Sequence, residues 1–222
     1  MSSHPPDPAG ALLCVPTEFE RSILERVAPD LFAARGGPGV ELVGFGPVAA
    51  AARTAALIAH RRPARVILLG IAGSLEGGPA VGEATEFGAV ALDGVGAGQG
   101  AGQGAALLPP SALGFPQWHD AEGKVHEQLQ LPAGGPLLLS VCAASASPAE
   151  ALGRCQRFQG AVAEDMETFG AALAARMAGV PLHAVRGISN VAGDRDKDRW
   201  LVEPALMAAA SSARSILQGG TP

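Results

Sequence analysis

Arg65-Val66-Ile67-Leu68-Leu69-Gly70-Ile71-Ala72-Gly73-Ser74 decides the fold. Its first half is apolar and β-branched, with no polar alternation. That marks a strand buried on both faces. It runs straight into a run of small residues, where backbone can approach a ligand closely. The same apolar signature recurs at Ala11–Val15, at Leu137–Cys142 and at Leu182–Ile188. Weaker versions lie at Val40–Phe45, Thr85–Leu92 and Ala161–Ala163. Between them fall helical stretches: one capped by Thr17 and reaching Val27, then Val48–His60, Thr168–Ala178 and Pro204–Leu217. Apolar strands alternating with helices predict an α/β three-layer sandwich. A central mixed, mostly parallel sheet carries helices on both faces. In such folds ligands bind beyond the carboxyl ends of the strands. Here those ends carry Glu18 and Glu20, Gly70–Ser74, Asp165 and Glu167, and Arg186–Asn190.

Composition narrows the class. The chain has 222 residues, 48% hydrophobic and 17% charged, which suits one core rather than a disordered polymer. We expect a loose arm at 1–10 and one domain over 11–222, with a flexible Gly/Gln loop at 94–104. The formal net charge of −5 leaves no basic footprint for nucleic acid. Three cysteines without CxxC spacing, Cys14, Cys142 and Cys155, fit a reducing compartment better than a disulfide frame or a zinc site. We do not expect the polar, Pro-rich start to act as a secretory signal, and no run of about 18 apolar residues offers a membrane span. The expectation is a cytoplasmic protein that takes a small molecule and needs no metal or cofactor.

One motif points elsewhere. Gly44-Phe45-Gly46-Pro47-Val48-Ala49 has the form of a dinucleotide-binding turn. The strand before it is not the first, and Pro47 lacks an N–H that a pyrophosphate would use. A tight strand-to-helix turn is the preferred reading. A non-catalytic nucleotide-binding protein is the competing one.

Three segments carry a family likeness: Val162-Ala163-Glu164-Asp165-Met166-Glu167, Val185-Arg186-Gly187-Ile188-Ser189-Asn190, and Leu69-Gly70-Ile71-Ala72-Gly73-Ser74-Leu75. In order and spacing the chain resembles the nucleoside phosphorylase and methylthioadenosine/S-adenosylhomocysteine nucleosidase superfamily. Gly193-Asp194-Arg195-Asp196 and Trp200 draw it toward the branch that hydrolyses futalosine in menaquinone synthesis. The resemblance implies a purine nucleoside as substrate, an N-glycosidic bond broken through a ribosyl cation, and a homo-oligomer. It also implies roles. Glu167 would bind the ribose 2′- and 3′-hydroxyls, since an ionised carboxylate only accepts. Met166 would lie against the sugar. Ile71, Ala72 and Gly73 would approach the ligand by their backbone.

Asn190 stands where adenine-specific relatives carry Asp. An amide can donate to a 6-oxo group and accept from a protonated N7, which favours hypoxanthine or guanine. Arg186 would help to hold the attacking water and its base, with the N-terminal Glu as its carboxylate partner. The preferred water-activating base is Glu20, with Glu18 as alternative. An acidic stretch after the first strand would repel phosphate, so hydrolysis is favoured over phosphorolysis. Arg195 or Arg199 would meet the carboxylate on futalosine's aromatic arm, and Trp200 would pack on that arm.

Overall fold

The computed structural model describes residues 10–32, 39–98 and 107–219. The expected arm at 1–10 therefore lies outside the described residues except for Gly10, as does most of the Gly/Gln loop.

Strands β1 (Ala11–Val15), β2 (Glu41–Leu42), β3 (Arg65–Ser74), β4 (Ala84–Phe87) and β5 (Ala89–Asp93) come first, with helices α1 (Glu18–Val27) and α2 (Pro47–Arg61) among them. A peripheral segment follows: β6 (Ala97–Gly98), β7 (Leu107–Leu108), α3 (Pro110–Leu113), β8 (Trp118–Asp120), β9 (Gly123–Val125) and β10 (Gln128–Gln130). The last part holds β11 (Leu137–Val141), α4 (Pro148–Arg157), β12 (Ala161–Asp165), α5 (Thr168–Met177), β13 (Leu182–Val191) and α6 (Val202–Gln218).

β3 organises the sheet. Its first half lies between β1 and β13, both parallel to it, and its end pairs antiparallel with β12 at Ala163–Ser74 and Glu164–Gly73. From β12 the sheet continues in parallel through β11 to β5, while β4 pairs antiparallel with β13. Because β4 and β5 follow each other around Gly88, the path of hydrogen bonds returns toward its start. The strand expected as one piece over Thr85–Leu92 is thus two, bent at Gly88. The strand expected over Val40–Phe45 shrinks to Glu41–Leu42, because Gly44 and Gly46 take φ of 90° and 85° and turn the chain into α2.

Both faces of the sheet are covered, and the strands show why their sequences are apolar throughout. Leu12 and Cys14 of β1 face α2 and α5, joining Leu57, Ile58, Phe169 and Ala172. Leu13 and Val15 face the other way, toward Leu24 of α1 and Leu206, Ala209 and Ala213 of α6. Successive side chains of a strand point to opposite faces, so a strand with two covers needs apolar residues at every position.

The Ala-rich helices allow close packing. A Cβ at Gly170 would fall 2.0 Å from the Pro47 carbonyl oxygen, so the N-terminus of α5 sits directly on that of α2. Helix α4 was not anticipated from the sequence. Its start does carry a signal: Ser147 at the N-cap accepts from Glu150 N–H at 3.3 Å, and Pro148 occupies the first turn.

Candidate active site

The carboxyl ends of β1, β3, β11, β12 and β13 open into one cleft of about 520 Å³. Glu20, Ile71, Ala72, Gly73, Met166, Glu167 and Asn190 all line it. These come from four segments spread between positions 20 and 190 of the chain, and only the sheet brings them together. Arg186 lies just beneath, fully buried.

Glu20 is held by the turn that starts α1. Thr17 and Glu20 form a reciprocal capping box: Thr17 N–H and Oγ1–H donate to Glu20 Oε2 at 3.1 and 2.6 Å. The other oxygen, Oε1, accepts from Ile71 N–H at 3.0 Å. The side chain is thereby tied to the middle of β3. Burial pushes its carboxyl above the ordinary range, while these hydrogen bonds and the nearby Arg186 charge pull it partly back. Glu18 points outward, with 70% of its side chain exposed, and approaches Arg21. Of the two candidate bases, only Glu20 reaches the cleft.

Arg186 has a different partner from the expected one. Its Nε and Nη2 donate to Asp165 Oδ2 at 3.0 and 2.8 Å, and Nη2 also donates to Thr168 Oγ1 at 2.8 Å. Asp165 further accepts from Ser140 Oγ–H at 2.5 Å, from Thr168 N–H at 3.0 Å and from the Thr168 hydroxyl. Asp165 comes from the end of β12, which like β13 pairs with β3, and meets the Arg186 guanidinium in the interior, whereas the Glu20 carboxylate is taken up by Thr17 and Ile71. Arg186 and Glu20 still come close, over Gly70. A Cβ built on Gly70 would lie 2.8 Å from Arg186 Nη1 and 2.9 Å from Glu20 Oε1.

β12 carries a second buried ion pair. Glu164 accepts from Arg154 Nη1 at 2.8 Å and from Ser145 N–H and Oγ–H at 2.8 and 2.7 Å. Arg154 also donates to the Ala143 carbonyl, which fixes the 143–145 loop as a wall of the cleft. Such pairs are tolerated in the interior because each charge meets a partner and several hydrogen bonds.

Glu167 differs from its two acidic neighbours in having no cation on it among the described residues. Among the described residues only Gly46 N–H donates to it, at 3.0 Å to Oε1, although it is 95% buried. Burial first, and the Asp165 charge second, push its carboxyl up to about 7. Among the described residues its Oε2 makes no hydrogen bond, so a donor group of a ligand could engage it. The Gly44–Ala49 turn acquires a role here. Its central N–H serves a carboxylate, which would oppose a pyrophosphate at the same place.

Asn190 follows an irregularity in β13, where the pairing with β3 skips Ser189. The amide oxygen accepts from Ser189 Oγ–H at 2.8 Å, and the amide nitrogen donates to the Val191 carbonyl at 2.9 Å. One lone pair and one N–H remain for a ligand.

At the mouth stand Phe19 and Phe45, both largely exposed, with Arg195, Lys197 and Trp200. Arg199 is not among the residues of the cleft. It pairs with Asp194 at 2.7 Å and Asp196 at 3.3 Å, facing solvent. Lys197, Phe19 and Phe45 were not singled out from the sequence, since exposed residues leave no periodic signal. Among the described residues no group of His, Cys, Asp and Glu has the arrangement of a metal site, and no helix is long and apolar enough to cross a membrane.

Comparison with known proteins gives concordant results. The phosphorylase superfamily profile matches residues 29–219. The chain is similar to a futalosine hydrolase of Thermus thermophilus, 35% identical, with 94% of this chain and 96% of that one aligned. Among solved structures it resembles a 5′-methylthioadenosine/S-adenosylhomocysteine nucleosidase of Colwellia psychrerythraea in complex with adenine. The TM-score is 0.72 and the identity 17%, with 95% of each chain covered. It also resembles futalosine hydrolase of Helicobacter pylori, with a TM-score of 0.71, 15% identity, and 95% and 97% of the two chains covered.

Proposed function

The chain belongs to the phosphorylase superfamily, and from that premise we propose that it is an N-glycosyl hydrolase that releases hypoxanthine from futalosine, a step of menaquinone synthesis. One observation carries the chemistry: Glu20, Glu167 and Asn190 share a cleft whose lining cations, among the described residues, are Arg195 and Lys197 at the rim. The Thermus thermophilus relative carries the name of that activity.

The residues divide the work as follows. Glu167 accepts from the ribose 2′- and 3′-hydroxyls, and these bonds tighten as positive charge grows on the sugar. Met166 and the backbone of Ile71–Gly73 bound the sugar. Asn190 donates to the 6-oxo group and accepts from N7–H of the leaving base, and Ser189 fixes the amide's direction. Glu20 takes a proton from water as the water oxygen bonds to C1′. The C1′–N9 bond breaks, and the base leaves with its electron pair, protonated through solvent. Glu20 acts as a base only when ionised, and burial, by raising its proton affinity, makes it a stronger one. Arg186 restrains that proton affinity by its charge and acts on the water through Glu20.

Hydrolysis fits better than phosphorolysis. A phosphate in place of the water would meet Glu20 and Glu167 without a free cation among the described residues. Arg21 pairs with Glu18 and Glu25, and Arg53 with Glu41, outside the cleft. Residues 11–222 act as one hydrolase domain in this reading. We also take the protein to be cytoplasmic and a homo-oligomer. The apolar groove between α2 and α5, lined by Ala51, Ala55, Ile58, Leu173 and Met177, supports association.

The test is release of hypoxanthine from futalosine in phosphate-free buffer. The expected result is turnover that does not depend on phosphate and that Glu167→Gln lowers by roughly a hundredfold or more. Strict dependence on phosphate, or an unaffected Glu167→Gln enzyme, would overturn the reading.

A further inference from the structure

The cleft is electrically divided. Glu20 and Glu167 lie in its depth, and the two cations that line it among the described residues, Arg195 and Lys197, lie on one loop at its mouth. That loop is a built structure rather than a solvated charge run. Asp194 Oδ1 accepts from Asp196 N–H at 3.0 Å, and Asp196 Oδ1 accepts from Asp198 N–H at 3.3 Å. Trp200 Nε1–H donates to the Asp194 carbonyl at 3.2 Å, and Leu201 N–H to the Ser189 carbonyl at 2.8 Å. Its first residue, Gly193, is seated where a Cβ would fall 2.4 Å from the Ser147 carbonyl carbon, against the cap of α4.

This frame sorts the loop's charges. Arg199 holds the carboxylates of Asp194 and Asp196, and Asp198 lies exposed outside the cleft. Among the described residues neither Arg195 nor Lys197 forms an ion pair. Arg195 instead stacks over Trp200, with Cζ 5.6 Å from the ring centroid.

We propose that Arg195, Lys197 and Trp200 form a rim that recognises an aromatic carboxylate on the 5′ arm of the nucleoside. The inference rests on the nucleosidase reading of the cleft. There the base is held through Asn190 and the 2′- and 3′-hydroxyls through Glu167, so C5′ is the carbon of the sugar left to bear an arm toward the mouth. A flat arm fits against Trp200 and Phe19. A terminal anion meets the two cations at the rim and is repelled by the carboxylates in the depth. The same field orders the substrate, since the reversed pose places the anion beside Glu167.

The experiment compares futalosine, whose arm ends in an aromatic carboxylate, with its carboxamide. The readout is the ratio of kcat/KM for acid over amide. The wild-type enzyme is expected to prefer the acid. The double variant Arg195→Ala/Lys197→Ala should lower the ratio roughly tenfold to a hundredfold, the range of a hydrogen bond to a charged group. Arg195→Lys/Lys197→Arg should retain most of it. Raising the salt should lower the ratio in the wild type and leave it unchanged in the double variant. A double variant with the wild-type ratio overturns the rim, even where futalosine is hydrolysed well. A wild-type enzyme that releases base from neither compound overturns the nucleosidase reading and the rim with it.

Discussion

Gly70→Ala adds one methyl group at the point where the proposed base meets the buried arginine. The new Cβ would sit 2.8 Å from Arg186 Nη1, 2.9 Å from Glu20 Oε1 and 3.1 Å from Pro16 Cδ. Ordinary contacts with carbon begin near 3.4 Å, so the Glu20 oxygen must retreat by about half an ångström. Arg186 is the less mobile of the two, because Asp165 and Thr168 fix its guanidinium on the far side. Retreat of Glu20 stretches the 3.0 Å bond from Ile71 N–H toward the limit of hydrogen bonding. Leaving that N–H short of a partner costs about 1–3 kcal/mol of stability. A base displaced by a fraction of an ångström should lose roughly tenfold to a hundredfold in kcat, since about 1 Å can cost a hundredfold. Glu167 is not among the atoms nearest the new methyl, so KM should change much less than kcat. Steady-state kinetics of base release, with urea unfolding of the same preparations, reads both effects. A variant with kcat within twofold of the parent, folded and active, would refute the placement of the water-activating base at Glu20.

Glu167 makes a pH prediction. Its folded-state carboxyl titrates near 7, above the unfolded value, so the unfolded chain loses its proton first as pH rises. The stability tied to this group is fully present below about pH 4.5, declines as pH rises to about 7, and is flat above, a loss on the order of 3 kcal/mol. Glu167→Gln should remove that decline from a series of urea titrations. Ribose hydroxyls favour the ionised form, so a bound nucleoside analogue should release protons near pH 6. Calorimetry in buffers of different ionisation enthalpy measures this, and proton uptake would contradict the assignment. Asn190→Asp should move preference from 6-oxo toward 6-amino nucleosides by roughly tenfold or more, because an ionised carboxylate accepts from an amino group and cannot donate to an oxo group. Competing hydrolysis of inosine and adenosine reads the ratio, and an unchanged ratio would remove Asn190 from base recognition.

Much of this protein was legible in its sequence wherever a residue's role depends on near neighbours in the chain. β1, α1 with its Thr17 cap, and α2 are local patterns, and they form close to where the sequence places them. The Glu164–Glu167 and Arg186–Asn190 segments were legible for the same reason, since a strand end and its following turn are contiguous. Two departures in the sheet, the bend at Gly88 and the short β2, come from turns whose geometry the rest of the fold imposes, and β10, an edge strand of three residues, leaves too short a pattern to read.

Pairings across the sheet were decided only by tertiary structure. Asp165 rather than Glu20 receives Arg186, Glu20 rather than Glu18 turns inward, and Gly46 N–H finds Glu167 across 121 positions. At the mouth, Arg195 faces the cleft while Arg199 is held by two aspartates. The physical reason is that a chain dictates which groups it carries and their local conformation. The partner of a buried charge is set by whichever strands the packed core brings within about 3 Å, and no local pattern encodes that distance.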